Sequence, residues 1–365
     1  MKVAVLGYGT VGFGVHEMLK SANGLEAGPV LVRPGKKDAD FKVTSIEEIT
    51  GDSTIGAVAE VMGGVEPAFS FAKAVLESKK HFVTSNKALV AAKGIELAKL
   101  AEENGVAFLF SAACGGGVPF LHNIALAVES DEILSLGGIL NGTTNYMLDS
   151  MQSSDLTYEK ALKDAQELGY AEADPTADVT GLDALRKIML ACAVAYEKLP
   201  VDGLCNEGID SVTAEDVSYF KSINKVCRLV VSGGPVESGS VYAYVEPVLF
   251  RPNAPECSVL KNYNLAKYEG KCSGPIVFMG QGAGRWPTAS AVIRDLSDIL
   301  SGRMQMMKPT CAEVTADNSK VSHRYLLRVD GEYSETEEMS VLEMHSKAKK
   351  LREEGRKVFF AALED

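Results

Sequence analysis

Lys2-Val-Ala-Val-Leu-Gly-Tyr-Gly-Thr-Val-Gly12 decides how this chain is read. Residues 3–6 are apolar and valine-rich, the pattern of a strand buried on both faces. Gly7, Gly9 and Gly12 then carry the G-x-G-x-x-G spacing. The first glycine permits the tight turn, the second lets the backbone approach a pyrophosphate, and the third lets helix and strand pack closely. Val15, Met18 and Leu19 continue in a helical pattern, whose N-terminus offers N–H groups and a partial positive charge to an anion. The spacing alone is a weak signal. With a strand before it and a helix after it, it points to dinucleotide binding through Gly7, Gly9, Thr10, Val11 and Gly12. The plainer alternative is a glycine turn with no ligand.

Working outward, 30–32, 55–59, 81–84 and 106–110 read as strands, and 67–78 and 94–104 as helices. Strands alternating with helices imply βαβ units and a parallel sheet. The expectation is an α/β chain with a Rossmann-type domain over 1–130, completed by about 285–310. The character changes near residue 130. Strands are expected at 135–140, 240–249 and 277–284, and helices at 158–168, 183–199 and 288–300. Asn141-Gly-Thr-Thr reads as a turn or cap cluster, and 240–249 alternates as an exposed edge strand would. This part, 131–284, is expected to be an α+β substrate and dimerisation domain. In the tail, 324–329 and 357–363 read as strands around a charged amphipathic helix at 341–354. That gives a small βαβ appendage over 321–365, whose removal is expected to leave activity in place.

Composition sets outer limits. The chain has 365 residues, 46% hydrophobic and 24% charged, with a net charge of −12. Such a balance is ordinary for a globular protein and disfavours nucleic-acid and anionic-membrane partners. Apolar runs fall short of the ~20 residues that span a bilayer. The N-terminus enters a strand and glycine loop without the pattern of a signal peptide. The seven cysteines form no CxxC pair or Cys/His cluster. They read as reduced thiols of a cytoplasmic protein, with no structural zinc. After the second strand the sequence runs Val32-Arg33-Pro-Gly-Lys-Lys37, with no acid before Asp38. An acid there would bind the ribose hydroxyls, whereas Arg33 can meet a 2′-phosphate. NADP is therefore expected over NAD, unless these are only solvated loop cations.

Residues 137–187 carry the chemistry. They read GGILNGTTNYML, then a helix, then ELGYAEADPTADVTGLDALRK. Asp183 and Lys187 are i,i+4 and share one helix face. Taken alone, they are one helical ion pair worth a few tenths of a kcal/mol.

As a combination, the stretch resembles the substrate-binding signature of the homoserine dehydrogenase family: GG-x-x-NGTTN, then GY-x-E-x-DP-x-x-D-x-x-G-x-D, with a lysine four residues on. Ala59-Glu-Val-Met-Gly-Gly64 followed by Glu66-Pro67 is similar to that family's third-strand segment. Val83-Thr-Ser-Asn-Lys87 is similar to its T-A-N-K segment, with Ser85 in place of alanine. Cys114-Gly-Gly-Gly-Val-Pro119 and Gly282-Ala-Gly284 with Thr288-Ala-Ser290 are similar to two further segments. The resemblance covers about residues 1–310. It implies that Glu172 and Asp183 bind the substrate's amino group and hydroxyl, with Asp178 beside them. Thr143 and Asn145 would line the pocket. Lys187 would be the proton donor, and Lys87 would sit at the nicotinamide–substrate junction as a rival for that role. Gly63 and Gly284 would meet the cofactor. A monovalent cation, Na⁺ or K⁺, is implied on backbone carbonyls of Ser111, Cys114, Gly116 and Val118. Ser111 stands where the family commonly has Glu, which weakens that site. A homodimer acting on a small amino-acid substrate in threonine and methionine biosynthesis follows from the same resemblance.

Other readings predict different residues. Aspartate-semialdehyde dehydrogenase needs a cysteine nucleophile with a histidine partner. Dihydrodipicolinate reductase lacks the NGTTN and DP-x-x-D elements. A non-catalytic dinucleotide sensor is expected to lose Lys87, Asp183 or Lys187, and all three are present.

Overall fold

The structure is a computed structural model and describes residues 1–364. Its contacts divide the chain into two units. The first comprises Met1–Glu129, Ala193–Leu199 and Gln281–Ala312, and the second Ser130–Cys192, Pro200–Gly280 and Glu313 onward.

The first unit is built on a six-stranded sheet with the order Lys42–Val43, Glu26–Leu31, Lys2–Leu6, Ile55–Glu60, His81–Thr84, Phe108–Leu109. Every pairing in it is parallel. Val3, Ala4, Val5 and Leu6 are fully buried, as a central strand covered on both faces requires. Strand order reverses beside Lys2–Leu6, the switch point where open α/β sheets bind ligands. Helix Arg285–Leu300 belongs to this unit and packs on helix Thr10–Leu19 through Gly14, where an added Cβ would lie 3.1 Å from Ala289 Cβ. Several features escape sequence reading, helices Glu47–Thr50 and Phe120–Ala127 among them. The short strand Lys42–Val43 extends the sheet, and the helix read as 94–104 begins at Lys87, capped by Asn86.

The second unit is built on a nine-stranded sheet. Its main path runs Gly274–Gln281, Tyr263–Gly270, Ile133–Ile139, Val226–Pro235, Val241–Phe250, Val358–Leu363, Tyr325–Val329, Glu332–Glu335. Cys205–Asn206 pairs with Val241–Phe250 off this path. Val241–Phe250 is therefore interior, not the exposed edge that its alternation suggested. The strand that alternates between half-buried and exposed residues is Gly274–Gln281, at the end of the path, with Val277 and Met279 half exposed. The polar residues behind the misleading alternation are satisfied inside. Tyr244 Oη lies 2.9 Å from His323 Nε2, and fully buried Glu246 lies 3.3 Å from His345 Nε2 and 3.5 Å from Tyr325 Oη. All three partners come from the tail. The two strands and the helix read from sequence are there, joined by an unforeseen strand, Glu332–Glu335, yet the tail is no appendage: Tyr325–Val329 and Val358–Leu363 are sheet strands, and Tyr325, Phe359 and Phe360 are fully buried.

None of the seven cysteines is in a disulfide, and Cys272 alone is exposed. No helix among the described residues is long and apolar enough to cross a membrane.

Candidate active site

In the first unit the glycine loop shows three different uses of a missing side chain. Gly7 has φ +98°, in the region that favours glycine, and a Cβ there would meet Met62 Cγ at 2.9 Å. A Cβ on Gly12 would lie 2.1 Å from the Gly7 carbonyl oxygen, so only glycine lets helix Thr10–Leu19 come so close to the loop. Gly9 is the opposite case: it is the N-cap of that helix, with open space around its Cβ direction. Bare backbone, open space and a helix N-terminus are what a pyrophosphate needs, so these residues fit a dinucleotide. Gly63 has φ +103° and likewise opens onto free space, and Gly284 caps helix Arg285–Leu300 with φ +117°. Arg33 is exposed just beyond strand Glu26–Leu31. Lys87 is half-buried at the first position of helix Lys87–Asn104.

Ser111 is buried, and its backbone N–H and hydroxyl both donate to the Asp295 carboxylate. Burial pushes the Asp295 pKa up to about 7, against those hydrogen bonds. The Ser111 and Val118 carbonyls accept from the N–H groups of Cys114 (3.3 Å) and Phe120 (2.8 Å). Gly116 has φ +52°, and a Cβ there would strike the Gly282 carbonyl at 2.5 Å. No group of three or more His, Cys, Asp or Glu side chains among the described residues could hold a metal ion.

In the second unit a compact charged cluster forms around the start of helix Gly142–Ser154 and helix Leu182–Tyr196. Lys187 Nζ lies 2.8 Å from Asp183 Oδ2, with the two side chains 9% and 12% exposed. It also donates to the Leu140 carbonyl at 2.5 Å. Asn141 joins the parts. Its Nδ2 donates to Asp178 (2.6 Å) and Asp183 (3.0 Å), while its Oδ1 caps the helix by accepting from Thr144 N–H (2.8 Å). Thr143 Oγ1 donates to the Tyr170 carbonyl (2.6 Å) and lies 3.3 Å from Asp178 Oδ2. Burial raises the Asp178 pKa, and the nearby Asp183 charge adds to it, against hydrogen bonds from Asn141 and Thr143 and attraction to Lys187. Buried carboxylates and an ammonium held this close form a polar site in which a charged ligand can exchange partners.

The structure thus brings Thr143, Asp178, Asp183 and Lys187 together. Two other expected residues stand apart. Glu172 is exposed, and its backbone carbonyl accepts from Gln166 (3.1 Å); its charge stays hydrated. Asn145 is fully buried but spends its Nδ2 on the Val259, Lys261 and Tyr263 carbonyls, at 2.9, 2.9 and 3.3 Å. Its Nδ2 ties down that loop, while its Oδ1 is buried without a hydrogen-bond partner. Sequence reading assigned no role to Asn141, although the NGTTN motif contains it. It also passed over Asn264, which is fully buried with neither amide atom hydrogen-bonded. Asn264 Oδ1 lies 3.4 Å from where a Cβ on Gly142 would sit. No local pattern announces Asn264, because strand pairing across more than 100 residues places it there.

A parallel sheet with a glycine-loop dinucleotide site, joined in one chain to an acidic lysine-bearing cluster, defines an NAD(P)-dependent oxidoreductase. Family comparison gives the particular one. Residues 7–111 match the homoserine dehydrogenase NAD-binding domain, and residues 119–297 match the homoserine dehydrogenase domain. The homoserine dehydrogenase of Synechocystis is 38% identical over 317 residues, covering 82% of this chain and 73% of that protein. That of Bacillus subtilis is 35% identical with the same coverage. Among solved structures, a homoserine dehydrogenase from Thiobacillus denitrificans superposes with a TM-score of 0.87 at 28% identity, covering 100% of this chain and 98% of that one. The chain belongs to the homoserine dehydrogenase family, and its activity is that of an oxidoreductase of this family.

Proposed function

We propose that Lys187 is the acid–base group in the interconversion of L-aspartate 4-semialdehyde and L-homoserine. The observation that carries this is the clamp on its ammonium group, between Asp183 at 2.8 Å and the Leu140 carbonyl at 2.5 Å. When bound, the nicotinamide cofactor supplies the hydride that adds to the aldehyde carbon. Negative charge then grows on the aldehyde oxygen, where the Lys187 ammonium stabilises it and delivers a proton to give the alcohol. In the oxidation direction Lys187 takes the hydroxyl proton back. Asp183 aims the ammonium. Asp178 and Asp183 give the substrate's own ammonium an anionic seat, and Glu172 is a further carboxylate for that ammonium. Lys87 is the alternative proton donor. In Lys187→Ala, kcat should fall by about 10²–10⁴-fold with NADPH affinity little changed. A variant keeping more than about a tenth of the wild-type rate would pass the role to Lys87.

Four further assignments rest on the same reading. NADP is preferred to NAD, supported by Arg33 and the absence of an acid before Asp38. The enzyme serves threonine and methionine biosynthesis in the cytoplasm; an auxotroph lacking the activity should be rescued by this chain. It is a homodimer formed through the second unit, supported by the half-exposed Val277 and Met279 on strand Gly274–Gln281. A monomeric mass by light scattering would refute that. Finally, the Ser111, Cys114, Gly116 and Val118 carbonyls hold Na⁺ or K⁺. An all-oxygen donor set suits a hard cation, and the Ser111 and Val118 carbonyls, each already accepting one N–H, keep a second lone pair. Equal rates in potassium chloride and in choline chloride would refute the cation.

A further inference from the structure

Three adjacent strands of the first unit end level with one another. Leu6 pairs with Glu60, and Glu60 with Thr84. Directly beyond them lie the glycine loop, the Val61–Gly64 turn and Asn86-Lys87. Glu60 ends its strand fully buried. Its Oε1 accepts from the N–H of Met62 at 2.6 Å and of Gly63 at 3.4 Å. Its Oε2 accepts from the Thr84 hydroxyl at 2.5 Å. Thr84 Oγ1 in turn accepts from Asn86 N–H at 2.9 Å. Asn86 Nδ2 donates to the Gly64 carbonyl at 2.6 Å, and its Oδ1 caps the next helix by accepting from Leu89 N–H at 3.1 Å. The chain of bonds closes on itself: Glu60, the 62–64 turn, Asn86, Thr84 and back to Glu60.

We infer that Glu60 is a positioning residue for the reaction, whose two carboxylate oxygens lock the Gly63-Gly64 turn to the Asn86-Lys87 helix start. The inference rests on the reading above that Gly63 and Lys87 meet the cofactor. A simple space-filler would be apolar, since burying a carboxylate is costly. Burial does raise the Glu60 pKa, against the hydrogen bonds from Thr84 and from the Met62 and Gly63 N–H groups. What an apolar residue cannot do is accept at two separated points. A glutamine keeps one acceptor and turns a donor toward Thr84, so Glu60→Gln isolates the second oxygen with little change of shape.

The test compares Glu60→Gln, Thr84→Val and Thr84→Ser in the full chain. Glu60→Gln and Thr84→Val should still melt cooperatively. Each should weaken NADPH binding, read by fluorescence titration, and lower kcat by about tenfold to a hundredfold, with KM for homoserine within about twofold. Thr84→Ser keeps the hydroxyl and should match wild type. The double variant Glu60→Gln/Thr84→Val should be no worse than the worse single, as expected for one network. Without cofactor, amide exchange at Asn86 and Leu89 should quicken in both damaging variants. NADPH affinity and kcat within about twofold of wild type in Glu60→Gln, or equal damage from Thr84→Ser and Thr84→Val, would overturn the inference. So would unchanged exchange at Asn86 and Leu89. If Glu60→Gln fails to fold, the Thr84 pair decides alone. A wild-type protein that neither binds NADPH nor oxidises homoserine would instead sink the functional reading, and the exchange measurement would still judge the lock.

Discussion

The glycine loop at residues 7–12 and the charged cluster spanning Leu140–Lys187 are made of opposite materials. The loop works by what is absent. No side chain fills the space at Gly9, and none separates Gly12 from the Gly7 carbonyl. Its ligand-facing groups are backbone N–H groups, so glycine spacing fixes the geometry within six consecutive residues. The cluster works by what is present: Asn141, Thr143, Asp178, Asp183 and Lys187, buried or half-buried and hydrogen-bonded to one another. These come from the start of helix Gly142–Ser154 and, more than 30 residues later, from the short helix Thr176–Val179 and the first turns of helix Leu182–Tyr196, on a sheet whose strands reach to residue 363. One region should therefore fail through added volume, the other through lost charge or lost scaffold.

The largest effect should come from the scaffold. Deleting residues 321–365 removes Tyr325, Leu327, Met344, Phe359 and Phe360 from the core, every one of them at most 4% exposed. It also leaves Glu246 buried without its His345 and Tyr325 partners. Burying one such apolar side chain is worth about 1.5–3 kcal/mol, so the set rivals the ~5–15 kcal/mol that holds a whole domain together. The truncated chain should lose homoserine oxidation completely and show no cooperative melting of the second unit by calorimetry. A soluble, active truncation would mean that the tail is an appendage after all, as the sequence alone suggested.

Within the loop, two alanine substitutions should separate volume from ligand. Gly12→Ala places a methyl 2.1 Å from the Gly7 oxygen, which backbone cannot accommodate without moving. It should lower Tm clearly, with a loss on the order of 1–3 kcal/mol or more from overpacking, and abolish cofactor binding with it. Gly9→Ala meets nothing within 4 Å. Tm should stay near wild type while NADPH affinity falls, because the methyl enters only the space meant for the pyrophosphate. If Gly9→Ala bound NADPH normally, the open space would not be the phosphate seat.

The same contrast explains what could be read in advance. Strands Lys2–Leu6, Ile55–Glu60 and His81–Thr84 are local apolar runs, and they lie where the residues put them. Helix Gly142–Ser154 was hidden because Asn141-Gly-Thr-Thr is polar and turn-like; here the asparagine caps a helix instead of closing a turn. Strand Val241–Phe250 looked half solvated because Tyr244 and Glu246 interrupt its apolar residues. Their partners sit on Tyr325 and two histidines some 80–100 residues later, which no window of sequence connects. In the site, the chemistry-bearing residue types were legible, but their sharing was not: that Asn145 is a buttress and Glu172 exposed follows only from where the chain goes.

The smallest effect should fall at the cofactor's far end. Arg33 is exposed beyond strand Glu26–Leu31 and differs from the buried Lys187 in every respect that sets electrostatic strength. Water and salt screen a charge at such a place, so its contribution to a 2′-phosphate should be modest and depend on ionic strength. Arg33→Ala should raise KM for NADPH by roughly three- to tenfold at low salt, at most the 1.4 kcal/mol that a tenfold change represents. Turnover with NADH should be nearly unchanged, so the preference narrows without reversing. At about 1 M salt, where the Debye length is near 3 Å, wild type and variant should converge. Steady-state kinetics with both cofactors at two salt concentrations checks this. A wild-type kcat/KM favouring NADH would remove Arg33 from cofactor selection, and a salt-independent loss would mean that Arg33 acts by packing instead of charge.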